Sequence, residues 1–360
     1  MLSIEIKAED LEFNILTYDR VCILLGKSGI GKSYMYNLLT RKRQPPGTVA
    51  IVRIDDYELS SKEIMDIDSA GTLALLNFSN REDLKYSKLL YIVDDDDSEQ
   101  SKEAIRLLSS TVNSYFLIIS RNKSVAGINY DIRSIYTLEL SDNGKKHTAQ
   151  RLLNQFEHSL YPDKIRYNDI IIISEDSKAG LQFYTRLCKS SVMPIINKNG
   201  IISGKDNLVN ILKEIDLQNK TLVLFVDWCS YGSNFNDLLS IKKKYGDTVD
   251  FIFNENILSF EYLLLATNLL QLRINDKPLD SILVDRTLSH EKQFQSILDS
   301  VTRGTEFHLT HHSNLPACYY APCCSKLKNS KYCSYMLNGE KIKALFTGTI
   351  FEDILKFRRI

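Results

Sequence analysis

The feature that most constrains the fold of this chain is a glycine-rich segment near its start, between an apolar run and a helical stretch. Residues Gly26 to Ser33 fit the pattern G-x-x-x-x-G-K-[ST]. Glycines let such a loop bend until successive backbone N–H groups point at one anion, and the helix that follows adds its dipole. The segment therefore predicts a strand, a phosphate-binding loop and a helix within an α/β fold.

The pattern also assigns roles within the loop. Lys32 is expected to neutralise the β and γ phosphates of a nucleoside triphosphate, and the Ser33 hydroxyl to bind Mg²⁺. ATP is favoured over GTP because residues 121–124, Arg-Asn-Lys-Ser, lack the Asp of the guanine-selective sequence Asn-Lys-x-Asp. The alternative, a plain turn, does not explain both flanks of the loop. The residues expected to contact the nucleotide are Gly26, Lys27, Ser28, Gly29, Ile30, Gly31, Lys32 and Ser33.

A second candidate lies at the end of the apolar run Leu89–Val93, where Asp94 and Asp95 follow directly. Asp94 is expected to join the magnesium shell, and Asp95 to polarise the attacking water. Because Asp96 and Asp97 follow directly, each of these two roles could instead belong to the residue one position later. The alternative is that the acids only solvate a strand end.

Ser120 and Arg121 end the next apolar run, where a polar group would lie beside the γ-phosphate. With the loop and the acidic strand end, they resemble P-loop NTPases of the AAA-like and ABC-like kinds. The resemblance implies magnesium-dependent ATP hydrolysis, with Ser120 and Arg121 as sensor residues. The Leu-Ser-Gly-Gly-Gln signature of ABC ATPases does not occur in the sequence. Solvated polar groups at a strand end are the alternative reading of this pair.

The chain of 360 residues is long enough for two hydrophobic cores, because a single core rarely exceeds roughly 250 to 300 residues. We predict an α/β fold class: a P-loop NTPase domain with a parallel sheet at 1–155, a second Rossmann-like domain at 165–275, and a small Cys-rich helical region at 276–360. The predicted strands are Arg20–Leu25, Val49–Ile54, Leu89–Val93, Tyr115–Ser120 and Ile135–Leu140, then Asp169–Ile173, Val192–Ile196, Leu222–Val226 and Val249–Phe253.

In the second domain, Glu175 and Asp227 each follow an apolar strand. The carboxyl ends of adjacent parallel strands meet in one crevice, so these carboxylates are expected to share a Mg²⁺. This arrangement resembles the topoisomerase-primase (TOPRIM) domain, which implies catalytic roles for Glu175 and Asp227. Cys229 replaces the second Asp of that motif, and Glu261, or Glu255, could supply a replacement carboxylate. The alternative is again that these acids only solvate strand ends.

Four cysteines crowd into the C-terminal region, at Cys318, Cys323, Cys324 and Cys333. Four soft ligands would suit tetrahedral Zn²⁺, but the usual C-x₂-C pair is missing. Structural zinc and reduced cysteines in a helical core are therefore equal alternatives. The odd total of seven cysteines, the lack of a signal peptide and the lack of a membrane-length apolar run favour a reducing, cytoplasmic location with no membrane partner.

Basic and acidic residues are equal, at 45 each, so any contact with nucleic acid requires a local patch rather than the overall charge. The domain order resembles overcoming-lysogenization-defect nucleases and related phage-defence ATPases. That resemblance implies an ATPase whose nucleotide state controls a second domain acting on nucleic acid in antiviral defence. The alternative is a nucleotide-switched scaffold, whose inactive second domain recruits a protein partner. In either case we expect an oligomer.

Overall fold

The computed structural model describes residues 1–27, 29–40, 44–67, 88–95, 114–121, 125, 128–141, 146–155, 166–167, 169–176, 178–188, 191–195, 199, 207–253, 258–265, 290–304 and 308. The described residues up to Gln155 form one unit, and those from Arg166 onward form another. Each unit is a mixed α/β structure with a parallel sheet.

The first unit contains a six-stranded sheet whose middle strands are buried on both faces. Its strands are β3 (Val21–Leu25), β6 (Ile64–Ile67), β7 (Leu89–Asp95), β8 (Ser114–Ser120), β9 (Ile135–Leu140) and β10 (His147–Arg151). The spatial order is β10-β9-β3-β8-β7-β6, and only the β10–β9 pair is antiparallel. All residues of β3 and β8 are buried, as continuous apolar runs in a covered parallel sheet should be.

A second, antiparallel sheet in this unit was missed by the sequence analysis. It consists of β1 (Leu2–Lys7), β2 (Glu12–Thr17), β4 (Val49–Ile54) and β5 (Tyr57–Glu58), in the order β2-β1-β4-β5. The prediction that Val49–Ile54 joins the parallel sheet is therefore wrong, although the bounds of the strand are correct. The strand pairs with β1, whose alternation of buried and less buried residues is the period-two pattern of a sheet with one covered face.

Helix α1 (Lys32–Leu39) follows the glycine-rich loop and packs into the core between these sheets. Met35, Leu38 and Leu39 are buried there, beside residues of β1 and β3 such as Ile4 and Leu24. Since the loop joins a buried strand to a buried helix, both of its ends are held in place.

The second unit contains a four-stranded sheet in which every pair is parallel. Its strands are β11 (Ile170–Ser174), β12 (Met193–Pro194), β13 (Lys220–Phe225) and β14 (Val249–Phe253), in the order β12-β11-β13-β14. β12 lies on one side of β11, whereas β13 and β14 lie on the other. The order in which strands are added to the sheet therefore reverses between β11 and β13. In open α/β sheets, ligands bind beyond the carboxyl ends of the strands at such a reversal.

Five described helices accompany this sheet: α2 (Ala179–Leu187), α3 (Leu208–Glu214), α4 (Phe235–Tyr245), α5 (Phe260–Leu264) and α6 (His290–Thr302). Among the described residues, no helix is long and apolar enough to cross a membrane. The strand predicted at Val192–Ile196 is only two residues long, because just two of its residues pair with β11. The four cysteines of the C-terminal cluster, Cys318, Cys323, Cys324 and Cys333, lie outside the described residues.

An ion pair between the half-exposed Arg166 and the buried Asp250 ties the chain before β11 to β14. Asp250 is 1% exposed and accepts hydrogen bonds from the Arg166 backbone N–H at 3.1 Å and from Arg166 Nε at 2.8 Å. The Arg166 guanidinium also donates to it through Nη2. The same contact raises the pKa of Arg166, mainly through this hydrogen bonding.

Candidate functional site

The glycine-rich loop turns directly after β3. The Gly26 N–H donates to the Ser120 carbonyl at 3.2 Å, which joins the loop to β8, and the Met35 N–H donates to the Gly31 carbonyl at 2.9 Å, which begins α1. Gly29 and Gly31 have positive φ angles of 81° and 91°, a region that L side chains rarely adopt. A Cβ at Gly26 would lie 2.8 Å from Ile30 Cγ2. The motif glycines are therefore required by the backbone path itself.

The Lys32 side chain folds back over this loop. Its Nζ donates to the Lys27 carbonyl at 2.9 Å and also to the Gly26 carbonyl. A positive charge thus lies against the loop, and the first turn of α1 contains no acidic residue to compete with an anion. The Ser33 side chain is exposed at the same helix start. Ser28 lies outside the described residues.

The strand order determines how the other predicted residues of this site are placed. Leu25 pairs with Ser120, and Ser120 pairs with Asp95, so these three positions are level across β3, β8 and β7. The acidic strand β7 is not adjacent to the loop strand β3, because β8 lies between them. Since neighbouring strands are about 4.8 Å apart, the backbone of Asp95 is roughly 10 Å from that of Leu25.

The two sensor candidates differ in exposure. Ser120 is fully buried at the end of β8, where its carbonyl accepts from Gly26, while Arg121, the next residue, is exposed. Ser120 therefore fixes the start of the loop through its backbone. The exposed Arg121 follows it at the same sheet edge.

In the second unit, the structure brings Glu175 and Asp227 together. Their strands, β11 and β13, are neighbours with Ser174 opposite Phe225. The Asp227 backbone N–H donates to Glu175 Oε2 at 2.9 Å. Asp227 Oδ1 in turn accepts from the Phe260 N–H at 3.1 Å, which ties α5 to the same sheet edge. The two predicted acids therefore lie next to each other, at the point of the sheet where the strand order reverses.

Three further acids raise the pKa of Asp227. Burial raises the pKa of Asp227 well above its ordinary value, and the charges of Glu175, Glu261, Glu291 and Asp176 raise it further. Burial also raises the pKa of Glu261 from 4.5 to about 7, with Asp176 and Glu291 adding to the effect. A carboxylate cluster, defined as Glu175, Asp176, Asp227, Glu261 and Glu291, therefore lies at the carboxyl edge of the second sheet.

The sequence analysis identified part of this cluster. Glu261 was noted as a replacement carboxylate, and its charge raises the pKa of Asp227. Asp176 stands directly after Glu175 in the sequence and could have been found from the same strand end. Glu291 lies on α6, and no local signal connects it to β11 or β13. The other replacement candidate, Glu255, lies outside the described residues.

Aromatic side chains pack beside the cluster. The rings of Tyr184 and Phe225 stack with centroids 3.9 Å apart, and the Tyr184 ring is buried. Burial, followed by the charge of Asp227, raises the pKa of the Tyr184 phenol well above its usual range.

Cys229 lies two positions after Asp227. Its side chain is buried, and its backbone N–H donates to the Leu258 carbonyl at 3.2 Å. The residue is therefore part of the core. Within the described part of the chain, no three His, Cys, Asp or Glu side chains stand close enough together to hold a metal ion.

No protein-family model and no curated protein matches the chain. Among solved structures, the chain is similar to a bacterial Atm1-family ABC exporter with ATP bound, at 14% sequence identity and a TM-score of 0.26. The similarity covers 44% of this chain and 40% of the exporter chain, so it spans less than half of that protein. A likeness at this TM-score carries no argument about function.

Proposed function

We propose that the first unit binds ATP with Mg²⁺ at the loop Gly26 to Ser33 and hydrolyses it. The observation that carries this proposal is the strand–loop–helix geometry. Gly29 and Gly31 hold left-handed conformations, and the Lys32 ammonium lies against the loop. This arrangement fits a polyphosphate, because bent backbone presents N–H groups and the ammonium balances the charge.

The residues of this unit have defined roles in the proposed reaction. Lys32 holds the β and γ phosphates, and Ser33 with Asp94 would hold Mg²⁺, which supplies charge neutralisation at the phosphates. Water adds to the γ-phosphorus while the bond to the bridging oxygen breaks, which gives ADP and phosphate. Asp95 receives the proton of that water. Ser120 and Arg121 lie at the strand end adjacent to the loop, where a sensor would be required.

Binding of ATP is tested by titrating the full chain with ATP and Mg²⁺ in a calorimeter. Lys32→Ala should weaken binding at least a hundredfold, because removing a charge-assisted contact to phosphate costs about 1.5 to 3 kcal/mol per hydrogen bond. Lys243→Ala, which removes an exposed lysine on a helix of the second unit, should leave affinity unchanged. Equal affinity of the wild type and Lys32→Ala would refute the proposal, and competition with GTP tests the choice of base.

We further infer that the second unit is a TOPRIM-like domain acting on nucleic acid, in antiviral defence, under the control of the first. The support is a parallel sheet with Glu175 after its first strand and Asp227 after the strand next to it in space. Hard oxygen ligands of this kind suit Mg²⁺. Glu175→Gln and Asp227→Asn should abolish nuclease activity while ATP binding persists.

A scaffold function is the second candidate, and the burial of Cys229 in place of a second Asp favours it. In that case the second unit recruits a protein partner and the oligomer does not cut nucleic acid. Cellular protection against phage that persists in the double variant Glu175→Gln, Asp227→Asn would support the scaffold. Loss of protection with intact ATP binding would support the nuclease.

A further inference from the structure

The β9–β10 hairpin extends past the end of the sheet at which the glycine-rich loop begins. Strand β9 is parallel to β3, and Thr137 is level with Leu25, the last residue before the loop. Leu140 lies three residues further along β9, about 10 Å past that level. Since β9 is the neighbour of β3 on the side away from β8, the hairpin lies on the other flank of the loop from the acidic strand.

Leu140 and His147 form one rung of this hairpin. They are directly opposite each other in the antiparallel pair, so their side chains point to the same face, with Cβ atoms about 5 Å apart. On that face the rung below consists of Leu138 and Ala149, which belong to the core of the first unit or pack against it. Leu140 is nevertheless 52% exposed. The Leu140–His147 rung therefore continues the core face into solvent.

The same core connects this face to the phosphate loop. Ile30 of the loop and Tyr34 of the first turn of α1 pack against it, as Ala149 of the hairpin does. Helix α1 thus lies on the side of the hairpin to which Leu140 and His147 point. A nucleotide whose phosphates occupy the start of α1 would have the Leu140–His147 rung on one flank.

A hydrogen bond fixes which nitrogen of the His147 ring carries the proton. Nδ1 lies 3.3 Å from the Asp10 carbonyl oxygen, which can only accept, so Nδ1 is the donor of the neutral ring. Nε2 then presents a lone pair, and it makes no hydrogen bond to any residue that the structure describes. The His147 backbone N–H donates to the same Asp10 carbonyl at 2.8 Å, which holds the residue against the turn between β1 and β2.

We propose that the Leu140–His147 rung contacts the adenine base of ATP, an inference that rests on the nucleotide site proposed for the first unit. The Leu140 side chain offers an apolar surface to the flat base. The Nε2 lone pair of His147 accepts from the exocyclic amino group of adenine, whereas guanine has a carbonyl oxygen at that position and no proton to donate. The rung therefore selects ATP over GTP.

The test compares the binding of ATP, GTP and inorganic tripolyphosphate to the full chain with Mg²⁺ in a calorimeter. Tripolyphosphate has no base, so it reports the phosphate contacts alone. Leu140→Ser and His147→Ala should each weaken ATP binding about fivefold, the effect of losing one neutral contact, and leave tripolyphosphate affinity unchanged. His147→Ala should also reduce the preference for ATP over GTP. Thr148→Ala is the matched control, because Thr148 follows His147 on β10 and points to the opposite face.

The outcomes separate this inference from the function on which it rests. Lys32→Ala should weaken ATP and tripolyphosphate together, since Lys32 contacts only phosphate. If it does so while Leu140→Ser and His147→Ala bind ATP as the wild type does, the base contact is refuted and the phosphate site stands. Equal affinity of the wild type for ATP and GTP would refute the role of His147. If the wild type binds neither ATP nor tripolyphosphate, the proposed function itself is refuted.

Discussion

Replacing Glu261 by Gln should stabilise the second unit at alkaline pH. Burial and the neighbouring acids raise the pKa of Glu261 from 4.5 to about 7 in the folded protein. Each pKa unit corresponds to about 1.4 kcal/mol, so a difference of this size amounts to roughly 3 kcal/mol between the two protonation states. The neutral Gln has the shape of Glu and needs no proton to remain uncharged.

The sign of the pH dependence follows from proton binding. Between pH 4.5 and about 7, the folded protein holds more protons at Glu261 than the unfolded chain does. The free energy of unfolding therefore falls as the pH rises through this window and is constant above it. The Gln variant has no ionisable group at this position, so its free energy of unfolding does not fall for this reason. It should be more stable than the wild type by about 3 kcal/mol at pH 8 and by less than about 1 kcal/mol at pH 5.

Urea denaturation in the presence of EDTA measures this effect. The only tryptophan of the chain, Trp228, is fully buried beside Asp227, so its fluorescence reports unfolding of the second unit. Glu214→Gln, at an exposed position, should follow the wild type at both pH values. If Glu261→Gln and the wild type lose stability in parallel between pH 5 and pH 8, the electrostatic account of the cluster is refuted.

Two further substitutions test backbone and ion-pair arguments. Gly31→Ala places a side chain at φ 91°, which should cost about 1 to 2 kcal/mol of stability and weaken ATP binding in calorimetry. Gly47→Ala is the control, because it is strained in the same way at φ 78° but lies outside the loop, and it should leave ATP affinity intact. Arg166→Ala removes the guanidinium from the buried Asp250 carboxylate, which keeps only the backbone N–H of residue 166. Because the Arg166 side chain is 43% exposed, the second unit should lose only about 1 to 3 kcal/mol in urea denaturation, and unchanged stability would refute the role of the pair.

The glycine-rich loop could be predicted from the sequence because all its determinants are contiguous. A buried strand, three glycines, a lysine and a helix follow one another within twenty residues, and the structure has β3 and α1 on either side of the loop. Strands with continuous apolar runs were also found within one or two residues of their bounds. Val249–Phe253 and Ile135–Leu140 coincide with their predicted ranges.

The antiparallel sheet shows what local pattern cannot decide. The runs Leu2–Lys7 and Glu12–Thr17 carry the period-two alternation of half-covered strands, yet they were not recognised beside the stronger apolar runs. Val49–Ile54 was recognised as a strand but assigned to the wrong sheet. Its alternation specifies one covered face and does not specify which strand lies next to it.

By itself, the sequence determined where the glycine-rich loop turns between a strand and a helix, and that Glu175 and Asp227 each follow a strand. Only the tertiary structure decided that β8 separates the loop strand from the acidic strand, and that the charge of Glu261 on α5 acts on Asp227 after β13. The reason is physical. Loop geometry depends on neighbours along the chain, whereas strand order and charge clustering depend on hydrogen bonds and burial between segments that are far apart in sequence.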